Sequence, residues 1–317
     1  MRLRTLGVIA LAGAASLGTA PLDAQTLVPL PTRFVSDRFF VTPVTTQGDT
    51  LVLFTDSGGG GPWVIKPVLQ RLGGTPKFLG VEDGDSVFSG GKFPTFKPGA
   101  SIPNALGQPD GSLVGFGTKA MPELEGAVGM LGQRWFAGRV WVVDYPGKQL
   151  SVYDTPPAPT PFGEHTIPMT LRKPPQASHP RIQVLIDGDT IDMLLDTGAT
   201  SQFTPTAVRL LGGGPEIRAS SFVAQRLTDR WRAKHPEWRI IAHGEVRTGA
   251  DLIEVPNVTL AGYDVGPVWF AMRTNAPYDN MMKQLMDRPI LASLGGNAFR
   301  SFRLTMDYPN QRVTFAR

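Results

Sequence analysis

Two aspartates in this chain each follow a short apolar run and precede a small hydroxyl residue and a glycine. The first stretch runs from Leu53 through Asp56 to Gly58, and the second from Leu194 through Asp196 to Gly198. If folding brings Asp56 and Asp196 together, both carboxyl groups cannot stay ionised, so they share one proton. The ionised member then takes a proton from water while the protonated member polarises a carbonyl group. This chemistry hydrolyses an amide without a metal or a covalent intermediate.

The residues that follow each aspartate are suited to orient such a pair. Gly58 and Gly198 allow the backbone to turn sharply and to pass close to the other half of the chain. The hydroxyl groups of Ser57 and Thr197 are able to satisfy backbone groups across the interface. We therefore expect these four residues to position the two carboxyl groups.

An internal repeat relates the two aspartates. Residues 47–58 align with residues 187–198 at a constant offset of 140. A second block repeats at an offset of 163, so 23 extra residues lie between the two blocks in the second half. Each copy of this block holds a Leu-Gly pair, a phenylalanine and an Asp-Tyr-Pro triplet: Leu131, Gly132, Phe136 and 144–146 in the first copy, and Leu294, Gly295, Phe299 and 307–309 in the second. The chain is therefore interpreted as a duplicated unit.

The repeat and the flanking composition divide the chain into four parts. Residues 1–24 have a basic start, an apolar stretch and Ala24 before the expected cut, which is typical of a signal peptide. The first unit is expected over 25–155, a proline-rich linker over 156–161, and the second unit over 162–317. No later apolar run is long enough to span a membrane. We expect an exported protein, periplasmic or extracellular, without a stable membrane span after cleavage.

Composition excludes several classes of site. The 317-residue chain has no cysteine, which rules out disulfides, thiolate zinc sites and cysteine nucleophiles. Its formal net charge of +4 is modest and no run of Lys or Arg stands out, so a nucleic-acid partner is not expected. Proline (29) and glycine (36) are frequent, which favours many short strands joined by turns.

The local patterns predict a strand-rich repeat. Gly48-Asp49 and Gly188-Asp189 are hairpin turn signals. The predicted strands are 51–55, 191–195, 140–143, 303–306, 149–153 and 312–315. In the second unit, Phe222, Val223, Leu227 and Trp231 have helical spacing, and a second short helix is predicted over 278–286. Residues 78–88 have the character of a hairpin, with Gly90-Gly91 as a hinge.

Other potential sites are less specific. The four histidines, at 165, 179, 235 and 243, lack metal-ligand spacing and are expected at the surface. The Asp-Gly-Asp triplets at 83–85 and 187–189 lack the further acids of a calcium loop. We therefore expect neither a metal nor a cofactor.

The duplicated D-[ST]-G turn resembles that of the pepsin-like and retropepsin-like aspartic peptidases. Each copy is followed by a hydrophobic-Gly element, Met130-Leu131-Gly132 and Ser293-Leu294-Gly295, and the Asp-Tyr-Pro block is similar to that of bacterial retropepsin-like enzymes. The resemblance implies an all-β, bilobal acid-protease-like fold with two β-barrel-type lobes and a few short helices. It also implies that Leu131, Gly132, Leu294 and Gly295 support the aspartate turns in psi-shaped loops.

Two functional hypotheses follow. The first is an endopeptidase with Asp56 and Asp196 as its catalytic pair, a peptide or protein substrate, no cofactor, and activity as a monomer. The second is a peptide- or ligand-binding protein of the cell envelope with little hydrolytic activity. The run Gly58–Gly61 favours the second hypothesis, because pepsin-like enzymes often carry a hydroxyl residue where this chain has Gly59, and four glycines predict a flexible first turn.

Overall fold

The structure is a computed structural model that describes residues 26–82, 84–108, 110–117, 124–158, 161–174 and 178–317. The predicted signal peptide lies outside the described residues, as do Asp83 of the predicted hairpin and residues 159–160 of the predicted linker. Within the described ranges, no helix is both long enough and apolar enough to cross a membrane.

The described residues of the first half form short strands and two short helices. Its strands are β1 (Leu27–Pro29), β2 (Thr32–Val35), β3 (Arg38–Val41), β4 (Leu53–Thr55), β5 (Trp63–Ile65), β6 (Lys77–Glu82), β7 (Asp85–Lys92), β8 (Ser112–Phe116), β9 (Gly129–Leu131), β10 (Val140–Asp144) and β11 (Gln149–Tyr153). Its helices are α1 (Lys66–Arg71) and α2 (Gln133–Phe136).

The second half repeats this pattern with additional elements. Its strands are β12 (Thr166–Pro168), β13 (Arg181–Ile186), β14 (Asp189–Leu195), β15 (Thr200–Gln202), β16 (Ile217–Ala219), β17 (Ser221–Ala224), β18 (Ile240–Ile241), β19 (Leu252–Val255), β20 (Val258–Leu260), β21 (Tyr263–Val265), β22 (Val268–Arg273), β23 (Ala292–Leu294), β24 (Arg303–Asp307) and β25 (Arg312–Ala316). Its helices are α3 (Pro205–Leu210), α4 (Gln225–Lys234), a π-helical turn (Tyr278–Met282), α5 (Lys283–Leu285) and α6 (Gly296–Phe299).

Each half has its own large sheet, and a third large sheet joins them. The first half forms an eight-stranded sheet in the order β2-β3-β4-β9-β5-β8-β7-β6, and the second a nine-stranded sheet in the order β18-β19-β22-β17-β23-β14-β13-β20-β21. The joining sheet has the order β1-β11-β10-β24-β25-β12. At its centre β10 pairs antiparallel with β24, so that Val140 lies opposite Asp307 and Asp144 opposite Arg303. One strand from each half thus fixes the position of the two lobes.

The strands that carry the aspartates are buried in the interior of their sheets. β14 lies between β13 and β23, and Met193, Leu194 and Leu195 at its end are fully buried. A strand covered on both faces needs a continuous apolar run of this kind. The hairpin between β13 and β14 turns at Asp187 and Gly188, whose φ angles of 52° and 83° suit a tight two-residue turn. The other aspartate strand, β4, begins at Leu53, two residues later than predicted.

Most predicted elements are present, but the first inserted helix begins later than its apolar spacing indicates. Phe222 and Val223 belong to β17, which pairs with β22 on one side and β23 on the other. The helix α4 begins at Gln225 and buries Leu227, Thr228 and Trp231. Pairing on both sides extends the chain at Phe222 and Val223, since apolar residues at helical spacing are equally suited to a buried strand.

One histidine departs from the expected surface position. His179 is only 4% exposed, and burial lowers its pKa to about 4. Its backbone N–H donates to the carbonyl of Leu285. Among the described residues, no group of three or more His, Asp or Glu side chains is arranged to hold a metal ion.

Candidate active site

The two aspartates stand at the ends of corresponding strands. Asp56 follows β4, which pairs in parallel with β9, and Asp196 follows β14, which pairs in parallel with β23. The backbone N–H of Asp56 donates to the carbonyl of Leu131 (3.0 Å), and that of Asp196 donates to the carbonyl of Leu294 (3.0 Å). Each aspartate turn is therefore held by the Leu-Gly pair of its own half.

The hydroxyl residues after the aspartates bond across the interface. The backbone N–H of Ser57 donates to Thr197 Oγ1 (3.1 Å), and the backbone N–H of Thr197 donates to Ser57 Oγ (3.0 Å). Ser57 Oγ donates in turn to the carbonyl of Leu195 (2.7 Å). Both hydroxyl residues are buried, so these reciprocal bonds hold the two turns in one register.

The glycines bring the carboxyl groups face to face. A Cβ atom at Gly198 would lie 2.3 Å from Asp56 Cγ, and one at Gly58 would lie 2.7 Å from Asp196 Cγ. Each glycine is thus packed against the carboxyl group of the other lobe, and no side chain fits at either position. Asp56 Oδ1 also accepts a hydrogen bond from the Gly58 N–H (2.8 Å).

Burial shifts both carboxyl groups toward the protonated form. Burial and the negative charge of Asp56 raise the pKa of Asp196 well above its usual range. Burial also raises the pKa of Asp56, but a hydrogen bond from the Asp196 side chain and the Gly58 N–H partly offset this rise. The pKa of Asp196 is therefore the more strongly raised of the two.

The glycine-rich first turn is pinned by its neighbours, which corrects the expectation of a flexible loop. The Gly59 N–H donates to the carbonyl of Asp56 (3.1 Å), and the Gln133 N–H donates to the carbonyl of Gly59 (2.9 Å). A Cβ atom at Gly132 would lie 2.2 Å from the Gly60 carbonyl oxygen. The start of α2 thus holds the turn through its backbone.

Met130 packs beside Gly59 on the first aspartate turn. A Cβ atom at Gly59 would lie 2.8 Å from Met130 Cε and 3.0 Å from Asp56 Oδ2. The thioether therefore occupies the space beside the aspartate turn that a hydroxyl residue would need. In the second half, a Cβ atom at Gly295, which corresponds to Gly132, would lie 2.8 Å from Ala199 Cβ.

Comparison with known proteins bears on the fold. No protein-family model matches the chain, and no curated protein matches it in sequence. Among solved structures, the aspartic proteinase from Irpex lacteus aligns over 92% of this chain and 97% of its own, with a TM-score of 0.52 and 13% identity. The chain has the pepsin-like fold. The all-β, bilobal architecture expected from the sequence is thereby confirmed, and at this identity the likeness concerns the fold alone.

Three residues near the carboxyl pair were missed as site residues from sequence. Met130 stands in the hydrophobic-Gly element, but nothing in its type indicates that it packs against the Gly59 turn. Tyr145 and Tyr308 were visible as repeated residues of the Asp-Tyr-Pro block, yet no role was inferred for their side chains. The repetition of a polar aromatic residue in both halves is the sequence signal from which Tyr145 and Tyr308 could have been found.

The predicted hairpin at 78–88 is present. β6 and β7 pair antiparallel and form one edge of the eight-stranded sheet. Three large apolar side chains of β6 are more than half exposed: Phe78, Leu79 and Val81. Gly90 in β7 has a φ angle of 99°, and a Cβ atom there would lie 2.1 Å from the carbonyl oxygen of Thr75. The glycine is therefore required by a close backbone approach at the base of the hairpin.

Proposed function

We propose that this protein is an aspartic endopeptidase that hydrolyses peptide bonds with a water molecule held between Asp56 and Asp196. One observation carries the proposal. The two carboxyl groups, each on a turn held by the Leu-Gly pair of its own half, lie within hydrogen-bond range of each other, and burial raises the pKa of both. Burying two carboxyl groups side by side costs free energy of folding. A pair whose pKa values differ is well suited to acid–base chemistry.

The proposed reaction assigns a different role to each aspartate. Ionised Asp56 takes a proton from water as the water oxygen attacks the peptide carbonyl carbon. Protonated Asp196 donates its proton to the carbonyl oxygen, which gives a tetrahedral diol. As the C–N bond breaks, the leaving nitrogen takes a proton from Asp56, and Asp196 regains its proton from the collapsing diol. No metal or cofactor takes part in this scheme.

The hairpin of β6 and β7 is proposed to contact the substrate. Its outer strand carries the exposed side chains of Phe78, Leu79 and Val81 at a free sheet edge. An extended peptide is the kind of ligand that such an edge accepts, through backbone hydrogen bonds and apolar contacts. We further propose that the protein is exported and acts as a monomer, since one chain supplies both aspartates.

Digestion of unfolded casein tests this function. The purified protein is incubated with casein from acidic to neutral pH, with and without a pepstatin-type inhibitor. The proposal expects peptide release that the inhibitor blocks. Saturable binding of casein without cleavage at any pH would instead support the binding-protein hypothesis. The backbone hydrogen bonds of Gly59 speak against the flexible first turn on which that hypothesis was based.

A further inference from the structure

The Asp-Tyr-Pro blocks have no part in the chemistry described so far. Their aspartates close local turns, because Asp144 Oδ1 accepts from the Gly147 N–H (2.7 Å) and Asp307 Oδ1 accepts from the Asn310 N–H (3.0 Å). This accounts for the acid in each block. It leaves the tyrosines, Tyr145 and Tyr308, without an explanation.

The two tyrosines cross between the lobes in a symmetric way. The Tyr145 N–H donates to the carbonyl of Phe302 (3.1 Å), and the Tyr308 N–H donates to the carbonyl of Arg139 (3.2 Å). Both bonds extend the pairing of β10 with β24. Each tyrosine is thus anchored on the other half of the chain.

Each ring packs against the helix that follows the Leu-Gly pair of the opposite lobe. Tyr145 contacts Phe299 of α6, with ring centroids 5.8 Å apart, and Tyr308 stacks on Phe136 of α2 at 6.3 Å. These helices directly follow Gly295 and Gly132, the glycines of the psi-shaped loops. A Cβ atom at Gly296 would lie 3.2 Å from Tyr145 Cε1, which brings this ring against the support of Asp196.

The hydroxyl groups are buried and lack a direct partner. Both tyrosines are 2% exposed, and neither hydroxyl has a hydrogen-bond partner among the described residues. A buried hydroxyl group without a partner costs free energy, so a repeated one calls for a role. Burial and the charges of Asp37 and Asp196 raise the pKa of Tyr145, while burial and the charge of Asp56 raise that of Tyr308. Both phenols stay neutral, and each lies close enough to the aspartate of the opposite lobe for the charge of that aspartate to raise its pKa.

We propose that Tyr145 and Tyr308 are positioning residues for the catalytic pair, each directing its buried O–H toward the aspartate of the other lobe, through a bridging water. A neutral O–H donor stabilises an ionised carboxylate. Tyr308 therefore favours ionisation of Asp56, and Tyr145 favours ionisation of Asp196. Because each tyrosine comes from the opposite lobe, the pKa of each aspartate then depends on the position of that lobe.

Other titratable groups near the pair and the two tyrosines have their own partners. Asp37, whose charge also raises the pKa of Tyr145, is paired with Arg300 (2.5 Å). Tyr278, whose pKa is raised in part by the charge of Asp196, bonds to the Ser293 side chain. These groups remain in place when a tyrosine hydroxyl is removed, so the substitutions isolate the hydroxyl itself.

The test replaces each tyrosine by phenylalanine, which removes only the hydroxyl group. Asp side chains of the full chain are labelled with 13C at Cγ, and the titration of the pair is followed by NMR, with Asp56→Asn and Asp196→Asn for assignment. Tyr153→Phe is the matched control, because Tyr153 lies in the same six-stranded sheet and is only half-buried. We expect Tyr308→Phe to raise the lower midpoint of the pair, and Tyr145→Phe the upper midpoint, by about 0.5 to 1 pH unit.

This inference rests on the carboxyl pair of the proposed function, but its readout needs no substrate. A chain that cleaves nothing, yet whose midpoints move as expected, would refute the peptidase proposal and keep the role of the tyrosines. If both variants titrate like Tyr153→Phe and have a higher melting temperature than the wild type, the hydroxyls are only unpaired polar atoms and the inference is wrong.

Discussion

Asp56 and Asp196 have the same chemistry but unequal surroundings. Asp196 is the more buried of the two, 8% exposed, and its pKa is the more strongly raised. Asp56 receives the hydrogen bonds that favour its ionised form. In the proposed reaction, this difference divides the roles of acid and base between two residues that the repeat makes equivalent in sequence.

The raised pKa of Asp196 predicts how the stability of the protein depends on pH. The folded state prefers the protonated carboxyl group, so this contribution is fully present below the usual aspartate pKa of about 4 and is lost as pH rises through the folded-state value. The free energy of unfolding should fall over this window with a slope approaching 1.4 kcal/mol per pH unit from this group.

Urea unfolding at a series of pH values checks this dependence. Asp196→Asn should remove the Asp196 part of the slope and be more stable than the wild type at neutral pH, because no carboxylate is then buried at that position. Asp189→Asn, in the exposed start of the same strand, should behave like the wild type. An unchanged slope in Asp196→Asn would show that this carboxyl group titrates normally.

At the scale of elements, the psi-shaped loops depend on contacts between backbones. A Cβ atom at Gly132 would lie 2.2 Å from the carbonyl oxygen of Gly60. A Cβ atom at Gly295 would lie 1.8 Å from the carbonyl oxygen of Ser220. A backbone neighbour cannot rotate away as a side chain would. Gly132 therefore decides how closely its loop approaches the Asp56 turn, and Gly295 how closely its loop approaches Ser220, which bonds to Ala199 of the Asp196 turn.

Replacing Gly132 or Gly295 by alanine should push each loop away from the backbone against which it packs. Gly132→Ala and Gly295→Ala should each lose about 1–3 kcal/mol of unfolding free energy or more, as overpacked sites do. Gly60→Ala is the control from the same loop, since a Cβ atom there has no neighbour within 4 Å. Chemical denaturation measures the differences, and equal stabilities for Gly60→Ala and Gly132→Ala would contradict this packing.

The sequence predicted most of the elements that hold the site, because the repeat compared two copies of each. Apolar runs bounded by turn residues predicted the strands before Asp56 and Asp196 and the hairpin at 78–88. Phe222 and Val223 were misassigned because their periodicity does not distinguish a buried strand from a helix. The rigid Gly59 turn and its contact with Met130 depend on residues distant in sequence, and no local pattern records such packing.

At the scale of the whole molecule, the two lobes are joined by pairing of one strand from each. β10 and β24 lie at the centre of a six-stranded sheet, and the reciprocal bonds of Ser57 and Thr197 lie between the aspartate turns. The arrangement brings together two carboxyl groups that are 140 positions apart in one chain. A second copy of the chain is not needed to complete the pair.

Activity should therefore be independent of self-association. The rate of peptide cleavage per mole of protein should stay constant when the protein is diluted 100-fold or more, because dilution does not separate covalently linked lobes. Initial rates with a fluorogenic peptide, together with sedimentation at the same concentrations, check this. A specific activity that falls as a dimer dissociates would mean that the site requires a partner chain.

Replacement of each aspartate by asparagine tests the central claim most directly. Casein cleavage is measured at acidic pH for the wild type, Asp56→Asn, Asp196→Asn and the control Asp189→Asn, after circular dichroism has established that all are folded. Both variants of the pair should lose at least about 100-fold in rate, as loss of a general acid or base does, and the control should retain full activity. Cleavage by Asp56→Asn or Asp196→Asn at a rate near that of the wild type would contradict the account.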